Sequence, residues 1–259
     1  MNWAQRRKLA YVMGVLLVLA GLLSLVVRQA TKEAPTCYDR KQNQGEVGVD
    51  CGGPCTFYCQ NELADPKVRW TRAFTIRPGV VHAVAYIEHS YPAAAARRMN
   101  YTFKIYDDNN TLIGERTGST YLGPMGRTAV IETLIQTGNV APALVRFSIT
   151  PPLPWEKIPV EFSQVVIKTD QTLLEPLEKS TRLTATIENT SRYSFKDMDV
   201  VAILYDKDDN AITVSSSKLA SLSGESSATL VFTWPFVMPT GVARIEIVPR
   251  FNPFTATKL

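Results

Sequence analysis

The sequence predicts a mainly β protein, with two tandem immunoglobulin-like Greek-key β-sandwiches behind one N-terminal transmembrane helix and a small disulfide-linked module. Three observations lead to this fold class. Residues 9–27 carry no charge, all four cysteines lie within residues 37–59, and short segments of alternating polar and apolar residues recur with a period near 100. The chain is therefore predicted to consist of an anchor, a crosslinked module and two β domains.

The composition excludes several classes of protein. Of the 259 residues, 45% are hydrophobic and 20% are charged, which is typical of globular chains and excludes wholesale disorder. The net charge of +4 lies within residues 1–36, which carry five basic residues and one acidic residue, so the remainder is neutral. A nucleic-acid-binding face needs clustered positive charge. We therefore expect no nucleic-acid partner.

The segment from Leu9 to Val27 is long enough to cross a bilayer as one helix. Its 19 uncharged residues match the thickness of a hydrocarbon core, at about 1.5 Å per residue. A cleaved signal peptide is the main alternative, but Arg28-Gln29 follows where a small-residue cleavage site would be needed. We expect an uncleaved signal anchor, with the bilayer as a partner, a cytoplasmic tail at 1–8 and a linker at 28–36.

Small residues are spaced by four along this segment. Ala10 and Gly14 form one such pair, and Ala20 and Ser24 form another. Pairs of this kind let two helices approach closely and so permit a homo-oligomer through the membrane helix, although small residues are also common in membrane helices generally.

The cysteines define a module at 37–59. Their spacing is C-x13-C-x3-C-x3-C, in a segment with many glycines and few apolar residues. Such a segment is too small to be held together by a core and needs crosslinks or a metal. Zinc sites usually pair cysteines in two separated knuckles, so two disulfides among Cys37, Cys51, Cys55 and Cys59 are favoured. Three connectivities remain open.

Disulfides also decide the orientation of the chain. Basic residues occur on both sides of the predicted span, so the positive-inside rule does not choose between the two orientations. Disulfides persist in oxidising compartments. We therefore expect a single-pass protein of the cell membrane, with a cytoplasmic N-terminus and extracytoplasmic C-terminal domains.

The oxygen-bearing side chains of the module are weak calcium candidates. Carboxylate and amide oxygens are calcium ligands, but these residues do not follow the EF-hand pattern, and turn-forming polar residues would have the same composition. The residues are Asp39, Asn43, Glu46 and Asp50.

The module resembles a short cysteine motif of secreted and surface proteins of bacteria and archaea, with the pattern C-x-D-x3-N-x-G-E-x-G-V-D-C-G-G-x-C. Arg40 departs from that motif, which more often has Gly after the Asp. The resemblance implies an extracytoplasmic location and no particular activity. It is carried by Cys37, Asp39, Asn43, Gly45, Glu46, Gly48, Val49, Asp50, Cys51, Gly52, Gly53 and Cys55.

An internal repeat follows the cysteines. Residues 86–88, 103–108, 126–127 and 146–149 recur at 186–188, 202–207, 224–225 and 244–247, with offsets of 100, 99, 98 and 98. Both copies alternate polar and apolar residues and are punctuated by Asp- and Asn-rich turns, which predicts about seven short strands per copy. We expect one sandwich at 67–150, a stiff, extended Pro-rich spacer at 151–159, a second sandwich at 160–254 that projects in tandem with the first, and a tail at 255–259.

Each copy contains a short motif at the end of one strand. The residues are Phe103-Lys104-Ile105-Tyr106-Asp107 in the first copy and Ala202-Ile203-Leu204-Tyr205-Asp206 in the second. They resemble FxLYD domains, which are extracytoplasmic β-sandwich modules of bacteria and archaea, with Ile for Leu in one copy and Ala for Phe in the other. The motif is interpreted as structural: alternate residues face the core, and Tyr-Asp leads the strand into its turn.

No catalytic pattern stands out. His82 and His89 are the only histidines, no G-x-S-x-G elbow accompanies them, and no nucleotide-binding glycine loop occurs. We therefore expect no enzymatic activity, catalytic residue or cofactor. The apolar, proline-broken stretches near the C-terminus either close the open end of a core or form a partner-binding patch. Their candidate residues are Trp234, Phe236, Phe251 and Phe254.

Together these features predict a membrane-anchored extracytoplasmic binding or scaffold protein that acts through protein–protein contacts in the cell envelope. Its partner would be an envelope or surface protein that the sequence does not identify. The alternative is a surface adhesin or glycan-binding module that depends on calcium or acts without it.

Overall fold

The computed structural model of the chain describes residues 3–30, 36–238 and 241–258. Parts of the predicted N-terminal tail, linker, C-terminal tail and 239–241 turn lie outside these residues. Helix α1 (Trp3–Ala30) includes Arg7–Val27, a stretch that is long and apolar enough to cross a membrane and whose apolar window is not buried within the described part of the chain. An apolar helix without a protein core around it is expected only where lipid or a partner covers it.

The first β domain, sandwich 1, contains seven strands in two antiparallel sheets. One sheet has the order β1-β2-β5; the other has the order β4-β3-β6, with β7 paired to the start of β3. Their buried faces form one apolar core. The strands are β1 (Lys67–Arg77), β2 (Val80–His89), β3 (Ala94–Tyr106), β4 (Leu112–Leu122), β5 (Gly126–Gln136), β6 (Leu144–Ile149) and β7 (Glu156–Lys157).

Sandwich 2 repeats this arrangement. Its sheets have the orders β12-β9-β8 and β11-β10-β13, with β14 paired to the start of β10, so the predicted fold class is confirmed. Two short 3-10 helices, Val160–Gln164 and Pro253–Thr255, accompany the strands. The strands are β8 (Ile167–Pro176), β9 (Thr181–Asn189), β10 (Tyr193–Tyr205), β11 (Ala211–Leu222), β12 (Ser226–Trp234), β13 (Arg244–Arg250) and β14 (Thr257–Lys258).

Strand register corrects two of the predicted repeat offsets. Gly126 pairs with His89 in sandwich 1, and Ser226 pairs with Asn189 at the equivalent place in sandwich 2, so the offset there is 100 and not 98. The β6 segment is likewise equivalent to β13 with an offset of 100. Side chains on a strand alternate with period 2, so a two-residue slip leaves the polar–apolar pattern unchanged and the pattern alone does not detect it.

The segment 151–159 is not the free spacer that its prolines suggested. Leu153 and Trp155 are buried in the core of sandwich 1, Glu156–Lys157 forms β7, and Ile158 packs into the core of sandwich 2. The tail is also part of the fold, because Thr257–Lys258 pairs with β10. Prolines suit the segment 151–159 because it contributes only a few ladder hydrogen bonds at a sheet edge.

The two sandwiches are stacked face to face, which corrects the prediction that a spacer keeps them apart. The β1-β2-β5 sheet packs on the β11-β10-β13 sheet, so both middle sheets are covered on both faces. Side chains alternate along a strand, so one side of β2 and β10 fills a sandwich core and the other side fills the interface. The interface residues are Phe74, Val84, Tyr86, Ala129, Val201, Ile203, Tyr205, Ala211, Val214 and Val248.

A polar cluster lies within this interface. The hydroxyls of Tyr86 and Tyr205, one from each sandwich, both donate to the carboxylate of Glu246, and Arg244 donates to the same carboxylate at 3.1 Å. Burial alone would raise the pKa of Glu246, but these three hydrogen bonds hold it below the ordinary value of 4.5. The ionised form of Glu246 therefore joins the two domains.

A second polar contact lies at the other end of the interface. The buried side chain of Arg250 in β13 donates to Thr120 and to the carbonyl of Tyr121 in β4, and the Tyr121 hydroxyl donates back to the Arg250 carbonyl at 2.9 Å. Polar contacts therefore join the sandwiches at both ends of the apolar interface.

Candidate functional site

The cysteine module is crosslinked by two interleaved disulfides. Cys37 is bonded to Cys55 and Cys51 to Cys59, which selects one of the three open connectivities. All four thiols are thus used, and the zinc alternative is wrong because a disulfide sulfur carries no thiolate to offer. Closing a loop of this length stabilises a small module by about 3 kcal/mol in the chain-entropy model.

The module docks on the edge of sandwich 1. The amide of Tyr58 donates to the carbonyl of Trp155 at 3.0 Å, and the amide of Lys157 donates to the carbonyl of Thr56 at 2.8 Å. Tyr58 and Leu63 also pack against the sandwich core. The module is therefore an added edge beside β7 and is joined to sandwich 1 by backbone pairing and apolar contact.

The side chains of the weak calcium candidates form hydrogen bonds within the module itself. The Asp50 carboxylate accepts the amide of Arg40 at 3.0 and 3.1 Å, Asp39 accepts the Lys41 amide at 2.9 Å, and buried Glu46 accepts the amides of Asn43 and Asp50, each at 3.3 Å. Asn43 donates to Asp39 at 2.8 Å, and this bond is the main cause of the lowered pKa of Asp39. These contacts are those of turn-forming residues, which was the alternative interpretation.

Arg40, the one departure from the resembled motif, has a backbone conformation that glycine adopts more easily. Its backbone has a φ of +60°, in the left-handed region that favours glycine, which is the residue the motif more often has there. Arg40 keeps this conformation with its amide bonded to Asp50.

The two histidines lie in structural positions. His89 is buried, its Nε2 is 3.0 Å from the carbonyl of Gly123, and its ring contacts Trp155 and Tyr91. Burial lowers the pKa of His89, against the opposing effect of the Gly123 bond, and burial also lowers the pKa of His82. Burial therefore favours the neutral form of both imidazoles.

The aromatic residues near the C-terminus are not an exposed patch. Trp234 is 1% exposed, and its indole donates to the carbonyl of Val214 at 3.0 Å. Phe236 packs against the core of sandwich 2, Phe251 contacts a core phenylalanine at a tilted angle, and Phe254 lies under the guanidinium of Arg97 from sandwich 1. Packing against the core accounts for the apolar character of these four residues, and a role of theirs in binding a partner stays a prediction.

The FxLYD-like segments have the structural role that was predicted. Phe103 and Ile105, and likewise Ala202 and Leu204, face the cores. Asp107 then accepts the amides of Asn109 and Thr111, and Asp206 accepts those of Asp208 and Asn210, at distances of 2.7–3.0 Å. Two equivalent turns thus use the same carboxylate geometry.

Exposed apolar side chains surround one end of sandwich 1, which we call the distal end because the cysteine module docks at the opposite one. At the distal end β3 and β5 finish and β4 and β6 begin. Leu112 and Leu144 flank Tyr106 in the register of the outer sheet, Leu134 lies on β5, and Val140 lines a cleft of about 310 Å³ in the β5–β6 loop. These four residues are 43–55% exposed.

Leu134 owes its position to a β-bulge. Val81 pairs with Ile135 and Ala83 with Glu132, so Thr133 and Leu134 both lie opposite one residue of β2. Leu134 has a φ of +56°, which is uncommon for a bulky residue and turns its side chain outwards. Sandwich 2 lacks this bulge, since β9 and β12 pair without a shift. The only trace of the bulge in the sequence is that the offset between equivalent residues of the two copies changes from 100 to 99 after residue 132. The alternation of polar and apolar residues does not reveal so small a change.

Comparisons with known proteins add little to this description. No family model matches the chain, and no curated protein matches it. Among solved structures it is similar to the N-terminal CBM22-1-CBM22-2 tandem domain of Xyn10C from Paenibacillus barcinonensis, at 7% identity and a TM-score of 0.15, with 74% of this chain and 92% of that chain covered. A likeness at this level carries no argument about the ligand or activity of this chain.

Proposed function

We propose that this chain is a membrane-anchored extracytoplasmic binding or scaffold protein, and that the distal end of sandwich 1 contacts a partner protein in the cell envelope. Helix α1 would be the anchor, with the N-terminus in the cytoplasm. The disulfides support an oxidising location for the rest of the chain, as does the resemblance of the module and the repeats to extracytoplasmic proteins.

One observation carries the choice of surface. Leu112, Leu134 and Leu144 are exposed in sandwich 1, whereas sandwich 2 buries Ala211 at the position of Leu112 and has Arg244 at that of Leu144. Apolar side chains gathered on a surface mark protein contacts more often than scattered ones do. An apolar segment of a partner would gain about 25 cal/mol for each Å² of this surface that it covers.

The rigid stack supports a scaffold role. Two sandwiches that share an apolar interface and two polar contacts move as one body, so the distal end is presented at a defined orientation. Binding to a preorganised surface loses less conformational entropy than binding to a mobile one.

The test is site-specific photocrosslinking in native membranes. A photoreactive phenylalanine analogue replaces Leu134 in one version of the full-length protein and Leu173 in another. Leu173 is the matched control, because it is 58% exposed, against 55% for Leu134, on the outer sheet of sandwich 2. We expect one defined crosslinked product from position 134 and none from position 173.

A substitution completes the test. Leu134→Asp is expected to abolish co-purification of the crosslinked partner at an unchanged melting temperature, while Leu173→Asp leaves it intact. Equal crosslinking from both positions, or co-purification that survives Leu134→Asp, would contradict the proposal.

A further inference from the structure

The cysteine module has two sides of different character. On one side, the backbone of residues 56–58 pairs with the segment 155–157 and joins the module to sandwich 1. On the other side, three apolar side chains are exposed: Tyr38 at 74%, Val47 at 57% and Val49 at 55%. None of the three packs against the core of either sandwich in the described part of the chain. The module therefore presents an apolar surface that its docking on sandwich 1 does not use.

Backbone contacts gather these exposed residues at one end of the module. A hydrogen-bonded turn at 47–51 has Val49 at its tip. The carboxylate of Asp50, in the same turn, accepts the amide of Arg40 at 3.0 Å, so the segment 38–41 lies beside the turn. We call residues 38–41 and 47–50 the module tip.

The charges of the module are sorted by exposure. Within residues 37–59, all of which the structure describes, the exposed charged side chains are Arg40 and Lys41, and both are cationic. Neither forms an ion pair with a described residue. The carboxylates of Asp39, Glu46 and Asp50 are less exposed and accept backbone amides inside the module. The charge that faces solvent at the module tip is therefore positive.

The length of the chain keeps the module tip close to the end of the apolar helix. The stretch that can cross a membrane ends at Val27, and Cys37 begins the module ten residues later. Ten residues span at most about 35 Å even when fully extended. A group tethered at such a distance meets the nearby surface at an effective concentration in the millimolar range. The bilayer around helix α1 would therefore be the surface that the module tip meets most often.

We propose that the module tip docks on the bilayer that holds helix α1, with Tyr38, Val47 and Val49 entering the headgroup region and Arg40 and Lys41 contacting anionic lipids. This inference rests on the membrane anchor of the proposed function. Tyrosine is enriched at membrane interfaces, and apolar side chains gain free energy when they leave water there. Lysine and arginine near the surface are attracted to anionic headgroups.

A protein partner fits the module tip less well than a lipid surface. A stable protein–protein interface uses roughly 20–30 residues from each partner, and the tip offers three apolar side chains and two cations. A lipid contact needs much less, because the helix already holds the chain at the membrane and the tip adds a second, weak attachment. Docking of this kind would set the orientation of both sandwiches relative to the membrane.

The test is photocrosslinking to lipid. Purified full-length protein is reconstituted into liposomes of phosphatidylglycerol and phosphatidylcholine in equal parts. A photoreactive phenylalanine analogue replaces Tyr38 in one version and Leu173 in another, and mass spectrometry detects the lipid adduct. Leu173 is the control because it is also well exposed, at 58%, but lies on sandwich 2. We expect at least fivefold more lipid adduct from position 38 than from position 173.

Charge variants separate docking from mere proximity. Replacing Arg40 and Lys41 together by Gln is expected to lower the lipid adduct at position 38 at least fivefold, with an unchanged melting temperature. Replacing Lys168 and Lys207 together by Gln removes two exposed cations of sandwich 2 and should leave the adduct unchanged. Liposomes of phosphatidylcholine alone should lower the adduct as the first pair of substitutions does.

The outcomes distinguish this inference from the proposed function. Equal lipid adducts from both positions, an adduct that does not depend on phosphatidylglycerol, or an adduct of position 38 with a second copy of the chain would overturn it. Alkaline carbonate extraction of the same liposomes tests the anchor separately. Protein that is extracted would refute both the anchor and the docking, whereas protein that stays in the membrane without a lipid adduct at position 38 would refute the docking alone.

Discussion

Sandwich 1 and sandwich 2 share strand order, strand number and turn chemistry, yet their distal ends differ. In sandwich 2 this end is closed: Trp234 fills the core, and Thr181 accepts the amide of Met238 and donates to the carbonyl of Phe236. In sandwich 1 the equivalent position is Ile135, and the extra bulge residue Leu134 points outwards. Sandwich 2 also exposes Leu177 and Val237 at this end, so the two copies differ in the bulged Leu134 and in the aromatic filling of the core.

The two copies also differ inside the sandwich. Sandwich 2 has Phe232 in its core, where sandwich 1 has Glu132, which accepts the hydroxyl of Tyr101 at 2.8 Å. Gly118 lets these two side chains lie close beneath β4, since a Cβ there would be 2.5 Å from the Tyr101 hydroxyl. Sandwich 1 therefore depends more on a polar contact and sandwich 2 more on aromatic packing.

The largest expected effect contrasts Trp234 with Leu134. Trp234→Ala removes a fully buried ring and should lower the free energy of unfolding by about 3–5 kcal/mol. Leu134→Ala removes an exposed side chain and should change it by no more than about 0.5 kcal/mol. Urea unfolding of the full-length protein, followed by circular dichroism, measures both values. Similar losses in the two variants would refute the contrast between a closed and an open end.

The next effect concerns Glu246, which lies where sandwich 1 has Arg146. Glu246→Gln should destabilise the protein at pH 7 by about 1–3 kcal/mol, because a charged acceptor for two tyrosines and Arg244 is lost. The pKa of Glu246 is lowered in the fold, so its contribution is complete above its ordinary value of 4.5 and is lost as the pH falls through the lower folded value.

Thermal melts across pH 3–8 check this second effect. The gap between the wild-type protein and Glu246→Gln should narrow below about pH 4.5. Glu175→Gln, which removes an exposed carboxylate on β8, serves as the control and should leave the melting temperature nearly unchanged at every pH. A gap that stays constant down to pH 3 would mean that the charge of Glu246 does not join the sandwiches.

The smallest expected effect concerns the Asp-rich turn that the two sandwiches have in common. Asp107→Ala and Asp206→Ala should each destabilise by about 1 kcal/mol, because each removes an acceptor for two turn amides. Asp108→Ala in the same turn, with only an exposed contact to Asn109, is the control. Chemical denaturation gives the three values. A loss in one copy more than twice that in the other would show that the turns are not equivalent.

Local patterns in the sequence predicted the parts of the fold that depend on neighbouring residues. The uncharged run at 9–27, the alternation along the strands and the Asp-rich turns are all signals of this kind. The interface between the sandwiches was harder to predict. β2 and β10 are apolar on both faces, which indicates strands that are covered on both sides. The sequence pattern does not show that the second cover of each strand comes from the other copy.

The candidate sites were less predictable than the strands. Trp234 and Phe254 are apolar residues beside prolines, a composition that suits both a covered core end and a binding patch, and only the packing distinguishes them. The contact between the segments 60–65 and 151–155 joins stretches of the chain about ninety residues apart that carry no shared motif. The exposure of Leu134 could be predicted only from the strand register, because the bulge that turns it outwards adds a single residue.

The interleaved disulfides have a mechanical consequence. Tension applied through the N-terminal helix enters the folded domain at Cys37 and crosses to Cys55, beside the residues that pair with Trp155 and Lys157. The Cys51–Cys59 bond passes part of the same load towards β1. Two routes then share the pull, so β1 does not have to peel away from β2 one hydrogen bond at a time. The module would therefore spread a pulling force over several contacts before that force reaches the β1–β2 pairing.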